Sequence, residues 1–284
     1  GKSASKDISP VQEASQEFDI NHEWERISKE QRFSEISLVD PSTPKKEGYI
    51  RFVCVSDTHA LTKHMDTMPE GDVLLHAGDF SNVGLEEDIV EFNEWLKLQP
   101  YEHKVVIAGN HDISFDTENY ISAKLYNRFH DTRGVDTPYD CEKIKALLTN
   151  CIYLEDKSVT ILGYKIYGSP WQPEFGGWAF NLPRDKSLAE KWAAIPDDTE
   201  ILVTHGPALG RGDLCSHGGR AGCHYLLNEI QNRIKPLAHV FGHIHEGHGI
   251  TFDGTTKYIN ASTCTLRYKP VNPPIVFDVP IKQQ

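Results

Sequence analysis

The sequence predicts an α/β fold in which two packed, mixed β-sheets are flanked by helices. Five short runs of Val, Ile and Leu show no alternation of apolar and polar residues, which is typical of strands buried on both faces. Stretches with a helical apolar stripe lie between several of these runs. Further short strands in the middle and near the end of the chain favour two sheets over a single parallel one.

The chain divides into two parts by composition. Residues 1–48 are polar and rich in Ser, Glu and Lys, and we expect them to form an N-terminal arm that is partly flexible, with a short helix near Glu23–Gln31. From Tyr49 the pattern changes to that of a packed domain, which we expect to fill residues 49–284. Because the arm has no cluster of metal-binding side chains, we expect it to be dispensable for chemistry.

The individual elements follow from local patterns. The five buried strands are predicted in IRFVCV, DVLLH, KVVIAG, EILVT and AHVFG. An apolar stripe that includes Leu85, Ile89 and Phe92 predicts a helix, and Asp140 is a candidate N-cap for the next one. Two more helices are predicted in SLAEKWAAI and CHYLLNEIQNRI. Shorter strands are predicted in CIYL, VTIL, YKIYG, KYIN and PIVFDV.

Composition excludes several classes of protein. The 284 residues contain 29 Lys+Arg and 41 Asp+Glu, and the resulting charge of −12 argues against binding to a nucleic-acid polymer. No apolar run reaches the ~18 residues of a transmembrane segment. Six cysteines in 284 residues are too sparse for a disulfide scaffold and favour a cytoplasmic location, and the lack of a C-x-x-C pair argues against structural zinc. Gly1 followed by Ser5 also matches the acceptor pattern for N-myristoylation. The sequence does not indicate an oligomeric state.

Side chains that can bind metal recur directly after the buried strands, in the segments D-x-H, G-D, G-N-H-D, H-G and G-H-x-H. Because ligands of α/β proteins gather at the carboxyl ends of strands, we expect these segments to converge on one site. Seven donors are too many for one tetrahedral ion and suit two divalent ions. Oxygen and imidazole donors without thiolate favour Mn²⁺, Fe or Zn²⁺, and we expect Mn²⁺. The seven are Asp57, His59, Asp79, Asn110, His205, His243 and His245.

The order of these segments resembles the calcineurin-like metallophosphoesterase superfamily over roughly residues 49–280. More narrowly, six stretches are similar to the metallophosphoesterase-domain-containing group, which is related to class III cyclic-nucleotide phosphodiesterases. They are FVCVSDTH, DVLLHAGDF, VVIAGNHD, THGPALGRGDL, GRAGC and YINASTC. The resemblance implies the αββα sandwich of that superfamily and the activity of a metal-dependent phosphoester hydrolase.

The resemblance also implies a role for each candidate residue. Asp79 would bridge two ions together with a hydroxide that serves as nucleophile. His111 would protonate or stabilise the leaving oxygen, and Asp112 would orient the imidazole of His111. The other ligands would be Asp57, His59 and His245 for the first ion, and Asn110, His205 and His243 for the second.

Four further residues are candidates for contact with the substrate. Three aromatic residues in the Gly- and Pro-broken stretch SPWQPEFGGW would form a wall for a nucleobase, or alternatively pack their loop onto a sheet. A basic residue further along the chain would contact phosphate or pair with an acid. These candidates are Trp171, Phe175, Trp178 and Arg220.

We therefore expect a hydrolase that acts on a small phosphoester or nucleotide, and we favour a phosphodiesterase for cyclic nucleotides. A phosphomonoesterase or protein phosphatase with the same core stays open, because the sequence does not give the shape of the pocket. A non-enzymatic scaffold that merely keeps the fold is the alternative of another class, but such a scaffold would not need all seven metal-binding donors.

Overall fold

The computed structural model describes residues 19–122 and 125–283. Gly1, its myristoylation pattern and the first part of the arm lie outside the described residues. Within the described ranges, none of the helices combines the length and the apolar character that crossing a bilayer requires.

Strands and helices alternate along the described chain. The strands are β1 (Tyr49–Val55), β2 (Val73–His76), β3 (His103–Val106), β4 (Ile152–Tyr153), β5 (Lys157–Ile161), β6 (Tyr164–Ser169), β7 (Gln172–Pro173), β8 (Asn181–Leu182), β9 (Ile201–Thr204), β10 (Ala238–Phe241), β11 (Gly249–Phe252), β12 (Lys257–Asn260) and β13 (Ile275–Pro280). The α-helices are α1 (Ile20–Ile27), α2 (Glu86–Leu98), α3 (Thr117–Ile121), α4 (Cys141–Lys145), α5 (Lys186–Ala193) and α6 (His224–Glu229). A π-helical turn, Ile230–Ile234, extends α6.

The strands form two main sheets, as predicted. The first has the order β13-β1-β2-β3-β4, with β13 antiparallel to β1 and the other pairs parallel. The second has the order β11-β12-β10-β9-β6-β5, and both of its edge strands are antiparallel to their neighbours. The short strands β7 and β8 pair with each other outside these sheets. The predicted α/β fold of two mixed sheets flanked by helices is confirmed.

Strand β1 shows why the predicted runs lack alternation. Phe52 and Cys54 belong to an apolar layer built from strands of both sheets, and Phe52 stacks on Phe277 at 5.0 Å between ring centroids. Val53 and Val55 belong to a second apolar layer that also contains the buried side chains of α2. Both faces of the strand are therefore buried, and both must be apolar.

Most predicted helices and strands are present. The predicted stripe of α2 is buried at Ile89, Phe92 and Leu96, and Asp140 caps α4 by accepting from two backbone N–H groups. The strands β7, β8 and β11 were not predicted. Two-residue strands such as β7 and β8 leave no periodic pattern to read, and β11 is an edge strand whose residues are all half-buried.

The described part of the arm, residues 19–48, lies against the domain. The predicted helix near Glu23 is α1, and the Asp19 side chain caps it by accepting from the backbone N–H groups of its first turn. Near the other end of the arm, the buried guanidinium of Arg51 donates to the carbonyl of Thr43 at 2.5 Å and pairs with Asp278 at 2.8 Å. At this end the arm is therefore tied to the domain.

Candidate metal centre

The five predicted segments lie at one edge of the sandwich. They follow β1, β2 and β3 of the first sheet and β9 and β10 of the second, and these strands run parallel within each sheet. At this edge the two sheets are joined by a parallel bridge between Ser56 and Ser262 and by a 2.8 Å hydrogen bond from the Thr263 N–H to the Ser56 carbonyl. The carboxyl ends of both sheets therefore face one common space.

All seven predicted ligands meet in that space. The Asp79 Oδ2 atom lies 3.3 Å from His205 Nε2 and 3.9 Å from His59 Nε2. Asn110 Oδ1 lies 2.9 Å from the same His205 nitrogen. Three overlapping groups have all their ligand atoms within 4.8 Å of one another, namely Asp57 with His59 and His245, His59 with Asp79 and His111, and Asp79 with His205 and His243.

Hydrogen bonds fix which histidine nitrogens face the centre. The Nδ1 atoms of His205 and His245 lie 2.8 and 3.0 Å from the carbonyls of Ala77 and Thr265. Because a carbonyl only accepts, each Nδ1 carries a proton, and Nε2 is the nitrogen that can bind a cation once it is deprotonated. His245 Nε2 also faces His59 Nε2 at 3.2 Å, so two imidazole nitrogens converge on one point. A cation there satisfies both lone pairs.

The backbone is strained where it presents these ligands. Asp57, His59, Asp79 and His243 have φ angles of 50°, 43°, 56° and 67°, in the left-handed region that disfavours residues with a Cβ. Each such residue costs on the order of 1 kcal/mol or more. Strain of this kind clusters at functional sites, where the surrounding structure holds it in place.

Two glycines leave the space that the carboxylates occupy. A Cβ on Gly242 would overlap the Oδ2 atom of Asp57, and a Cβ on Gly109 would overlap the Oδ1 atom of Asp79. At both glycines the backbone therefore approaches the carboxylate more closely than a residue with a Cβ would allow. Together with the mixed set of carboxylate, amide and imidazole donors, this cradle fits divalent cations.

Burial and the neighbouring carboxylates shift the pKa values of the histidines at the centre. Burial opposes a charged imidazole, but the Asp79 carboxylate outweighs it and raises the pKa of His205 to about 9. At His245, burial is likewise outweighed by the hydrogen bond to Asp57, and the pKa rises to about 9. Burial lowers the pKa of His59 to about 4, which keeps this imidazole neutral. Cations that bind here replace the protons of His205 and His245.

His111 lies beside this centre and lines the adjoining cavity. Its Nδ1 atom lies 2.8 Å from the Asn82 carbonyl and must donate to it, so Nε2 is the ring nitrogen available to the cavity. The imidazole stacks on Trp178 at 4.1 Å between ring centroids, and the backbone N–H of His111 donates to Asp79 Oδ1 at 2.8 Å. The orientation of His111 therefore comes from Asn82 and Trp178.

Asp112 has a different role from the predicted one. Its buried carboxylate accepts from the backbone N–H groups of Asp79, Gly109 and Ser81 at 2.8–3.0 Å, and from the Ser81 hydroxyl at 2.6 Å. It does not orient the imidazole of His111, which Asn82 holds instead. Asp112 fixes the two loops that carry Asp79 and Asn110.

A cavity of about 450 Å³ opens from the metal-binding side chains, and two of the four predicted substrate residues, Phe175 and Arg220, line it. Trp171 does not: it is 8% exposed, and its Nε1–H donates to Asp156. The Trp171 side chain therefore packs inside the protein and forms no part of the wall of this cavity. Trp178 is not part of the cavity lining either. Its ring stacks on those of His111 and Phe129.

Two residues of the site were missed from the sequence. The Tyr268 ring lies 4.8 Å from that of His59 and 5.4 Å from that of His245, and Tyr268 lines the cavity. Its position shortly after the predicted strand KYIN is the feature that points to it. Arg184 also lines the cavity and donates to the carbonyls of Ala221 and Gly222, with no ion-pair partner among the described residues. No local pattern marks Arg184.

Comparisons with known proteins agree with this geometry. Residues 50–247 match the family model for calcineurin-like phosphoesterases. The chain belongs to this family. It is 53% identical over 251 residues to metallophosphoesterase domain-containing protein 1 of Homo sapiens, covering 86% of this chain and 76% of that protein. It is 40% identical over 271 residues to UPF0046 protein T07D4.2 of Caenorhabditis elegans, covering 91% and 67%.

A solved crystal structure supports the fold of this family at low sequence identity. It covers 82% of this chain and 100% of its own chain, with a TM-score of 0.52 and 13% identity. The resemblance on which the sequence interpretation rested is thereby confirmed, and candidate ligand clusters for divalent metal lie where that interpretation expected them.

The geometry of Asp112 generates a prediction for this phosphoesterase. Each carboxylate oxygen of Asp112 accepts two hydrogen bonds, and Asp112→Asn replaces one of these oxygens with an amide NH₂ that can only donate. Two buried donors then lose their acceptor, so the free energy of unfolding should fall by about 3 kcal/mol. Metal affinity should fall as well, because the Asp79 and Asn110 loops lose their common anchor. Chemical denaturation and metal titration measure both effects, with the exposed Asp136→Asn as control. A loss of activity confined to esters with poor leaving groups, at unchanged stability, would restore a catalytic role for Asp112.

Proposed function

We propose that this phosphoesterase hydrolyses phosphodiesters of small nucleotides, cyclic nucleotides in particular, with two divalent cations at the candidate metal centre. The observation that carries the proposal is the position of Asp79. Its Oδ2 atom lies between His205 and His59, which belong to different ligand groups. A carboxylate shared by two ligand groups suits a bridged pair of cations ~3.5–4 Å apart, the usual arrangement for displacement at phosphorus.

The remaining donors divide between the two cations. When bound, the pair supplies a hydroxide nucleophile at neutral pH and withdraws charge from the phosphoryl oxygens. The oxygen and imidazole donors support Mn²⁺, with Fe or Zn²⁺ as alternatives. The proposed terminal ligands are Asp57, His59 and His245 for one cation, and Asn110, His205 and His243 for the other.

His111 is proposed as the residue that protonates the leaving oxygen. Its Nδ1–H is committed to the Asn82 carbonyl, so Nε2 is the atom that holds or gives the proton. Stacking on Trp178 keeps the plane of the imidazole fixed. An imidazole gives and takes protons near neutral pH, and a positioned general acid contributes about 10²–10⁴-fold to the rate.

The cavity supports a small nucleotide as substrate. Its volume of about 450 Å³ lies in the range of small-molecule sites. The Phe175 side chain is 60% exposed beside His243, with 5.9 Å between ring centroids, and offers a face for a nucleobase. Glu174 and Glu246 also line the cavity, and on the same lining Arg184 and Arg220 supply the two guanidinium groups proposed to bind an anionic ligand. Six free cysteines support a cytoplasmic location.

The function is tested on the wild-type protein. We expect removal of metal by a chelator to abolish hydrolysis of cyclic AMP, and added Mn²⁺ to restore it, because the donors of the centre are arranged for cations. Turnover of cyclic AMP should exceed that of a phosphoserine peptide, since the net charge of −12 repels acidic peptides. Full activity without metal would refute the dinuclear proposal. Faster cleavage of the phosphopeptide would favour the protein phosphatase alternative.

The bridging role of Asp79 predicts a difference between two variants. Asp79→Ala should leave little tightly bound metal, because it removes a ligand from both cations. His243→Ala should keep about one ion per chain where the wild type binds about two, because it removes a ligand from only one cation and leaves every ligand of the other in place. Elemental analysis after desalting measures the metal content, with the exposed His64→Ala as matched histidine control. Equal metal content in Asp79→Ala and His243→Ala would contradict bridging.

The proposed role of His111 predicts a dependence on the leaving group. A nucleoside alkoxide needs protonation as it leaves, whereas a nitrophenolate is stable without it. His111→Ala should therefore lower turnover of cyclic AMP by about 10²–10⁴-fold and that of a nitrophenyl phosphodiester far less. Its metal content should stay near that of the wild type. Equal losses on the two esters would remove His111 as the general acid.

A further inference from the structure

The N-terminal helix α1 packs against a residue of the cavity lining. Trp24 covers Gly210 so closely that a Cβ at that glycine would overlap the indole ring. The guanidinium of Arg220 lies over the same ring, 4.3 Å from its centroid. Asn21 Oδ1 accepts from the backbone N–H of Arg220 at 3.0 Å. Two side chains of α1 therefore hold both the backbone and the side chain of Arg220.

Arg220 belongs to residues 213–222, which we call the cavity loop. The buried carboxylate of Asp213 pairs with the Arg220 guanidinium at 2.5 Å and accepts from the Gly222 N–H at 3.1 Å. An antiparallel bridge joins Leu214 to Arg220, so the loop folds back on itself. Five of its residues line the cavity, namely Cys215, Ser216, His217, Arg220 and Ala221.

The chain just before the cavity loop is also held by the arm. Arg211 is buried, and its Nη2 donates to Gln31 Oε1 and to the Arg32 carbonyl, both at 3.0 Å. The Phe33 ring covers the same guanidinium at 4.3 Å. The other two guanidinium nitrogens of Arg211 have no hydrogen-bond partner in the described part of the chain. Residues 20–33 therefore contact both the chain that enters the loop and Arg220 within the loop.

We propose that Trp24 and Asn21 are positioning residues for substrate binding, because they hold Arg220 and the cavity loop at the wall of the cavity. A guanidinium recognises an anion through N–H donors in a fixed geometry, so its orientation decides its contribution. The inference rests on the proposed function, since it treats the cavity as the substrate site. From the sequence we expected the arm to be dispensable for chemistry, whereas this proposal gives residues 20–33 a role in substrate binding.

The variant Trp24→Ala tests this in the full chain loaded with Mn²⁺. The KM for cyclic AMP should rise by about 3- to 30-fold, which corresponds to loss of a cation–π contact and of the order it imposes. The kcat should stay within about twofold, because α1 supplies no metal ligand. Trp24→Phe keeps an aromatic face and should restore most of the affinity. Ile27→Ala, which shortens another apolar side chain of α1, is the matched control and should leave KM unchanged.

A second measurement reports on the loop without any activity. Cys215 is half-buried in the cavity loop, and a thiol reagent should label it about tenfold faster in Trp24→Ala than in the wild type or in Trp24→Phe. Cys215→Ser in each background assigns the signal, because Cys151 is also partly exposed.

The two measurements separate the possible failures. Unchanged labelling of Cys215 in Trp24→Ala would overturn the positioning role. An active wild type with the same KM in Trp24→Ala would overturn it as well, and so would a fall in kcat at unchanged KM. If the wild type hydrolyses no diester, the proposed function fails on its own, and the labelling rates alone decide whether α1 holds the loop.

Discussion

The geometry of the site depends on one buried carboxylate, that of Asp79. It follows β2 in the middle of the first sheet, and its φ of 56° turns the side chain toward the second sheet. Its Oδ1 accepts from the backbone of His111, while its Oδ2 approaches His59 and His205. The Asp112 carboxylate also accepts from the backbone N–H of Asp79, so several hydrogen bonds hold Asp79 in this position. Such support holds the strained backbone that presents this carboxylate.

The ligands of each proposed cation come from both sheets, so the packing between the sheets sets the distances at the centre. Asp57 follows β1 of the first sheet, whereas its group partner His245 follows β10 of the second. The layer between the sheets is fully buried around residues such as Phe52 and Val203, and close-packed interiors permit little sliding. Metal that binds only this arrangement stabilises the fold, so loss of core packing and loss of metal affinity should accompany each other.

The two main sheets and the convergence of the ligands could be predicted from the sequence. Both follow from one rule: buried strands are apolar, and their carboxyl ends carry the polar groups. The sequence did not predict contacts between residues that are far apart along the chain. Asp112 is adjacent to His111 but binds Ser81, and the Asn21–Arg220 hydrogen bond spans 199 residues. Gly176 and Gly177 both have positive φ, and they separate Phe175, which lines the cavity, from Trp178, which does not. Composition alone does not give that difference.

The charge of the whole chain and the charge of the cavity have different consequences. A net charge of −12 lowers the affinity for acidic polymers and peptides at long range. Inside the cavity, Arg184 has no ion-pair partner in the described ranges, and Arg220 pairs through one guanidinium nitrogen with the buried Asp213 carboxylate. Glu174 and Glu246 line the same cavity, so the proposed substrate would need an anionic group that reaches the two guanidinium groups and a size that fits about 450 Å³. Under the proposed function, cavity size and local charge together, rather than either alone, would favour a nucleotide over a phosphorylated protein surface.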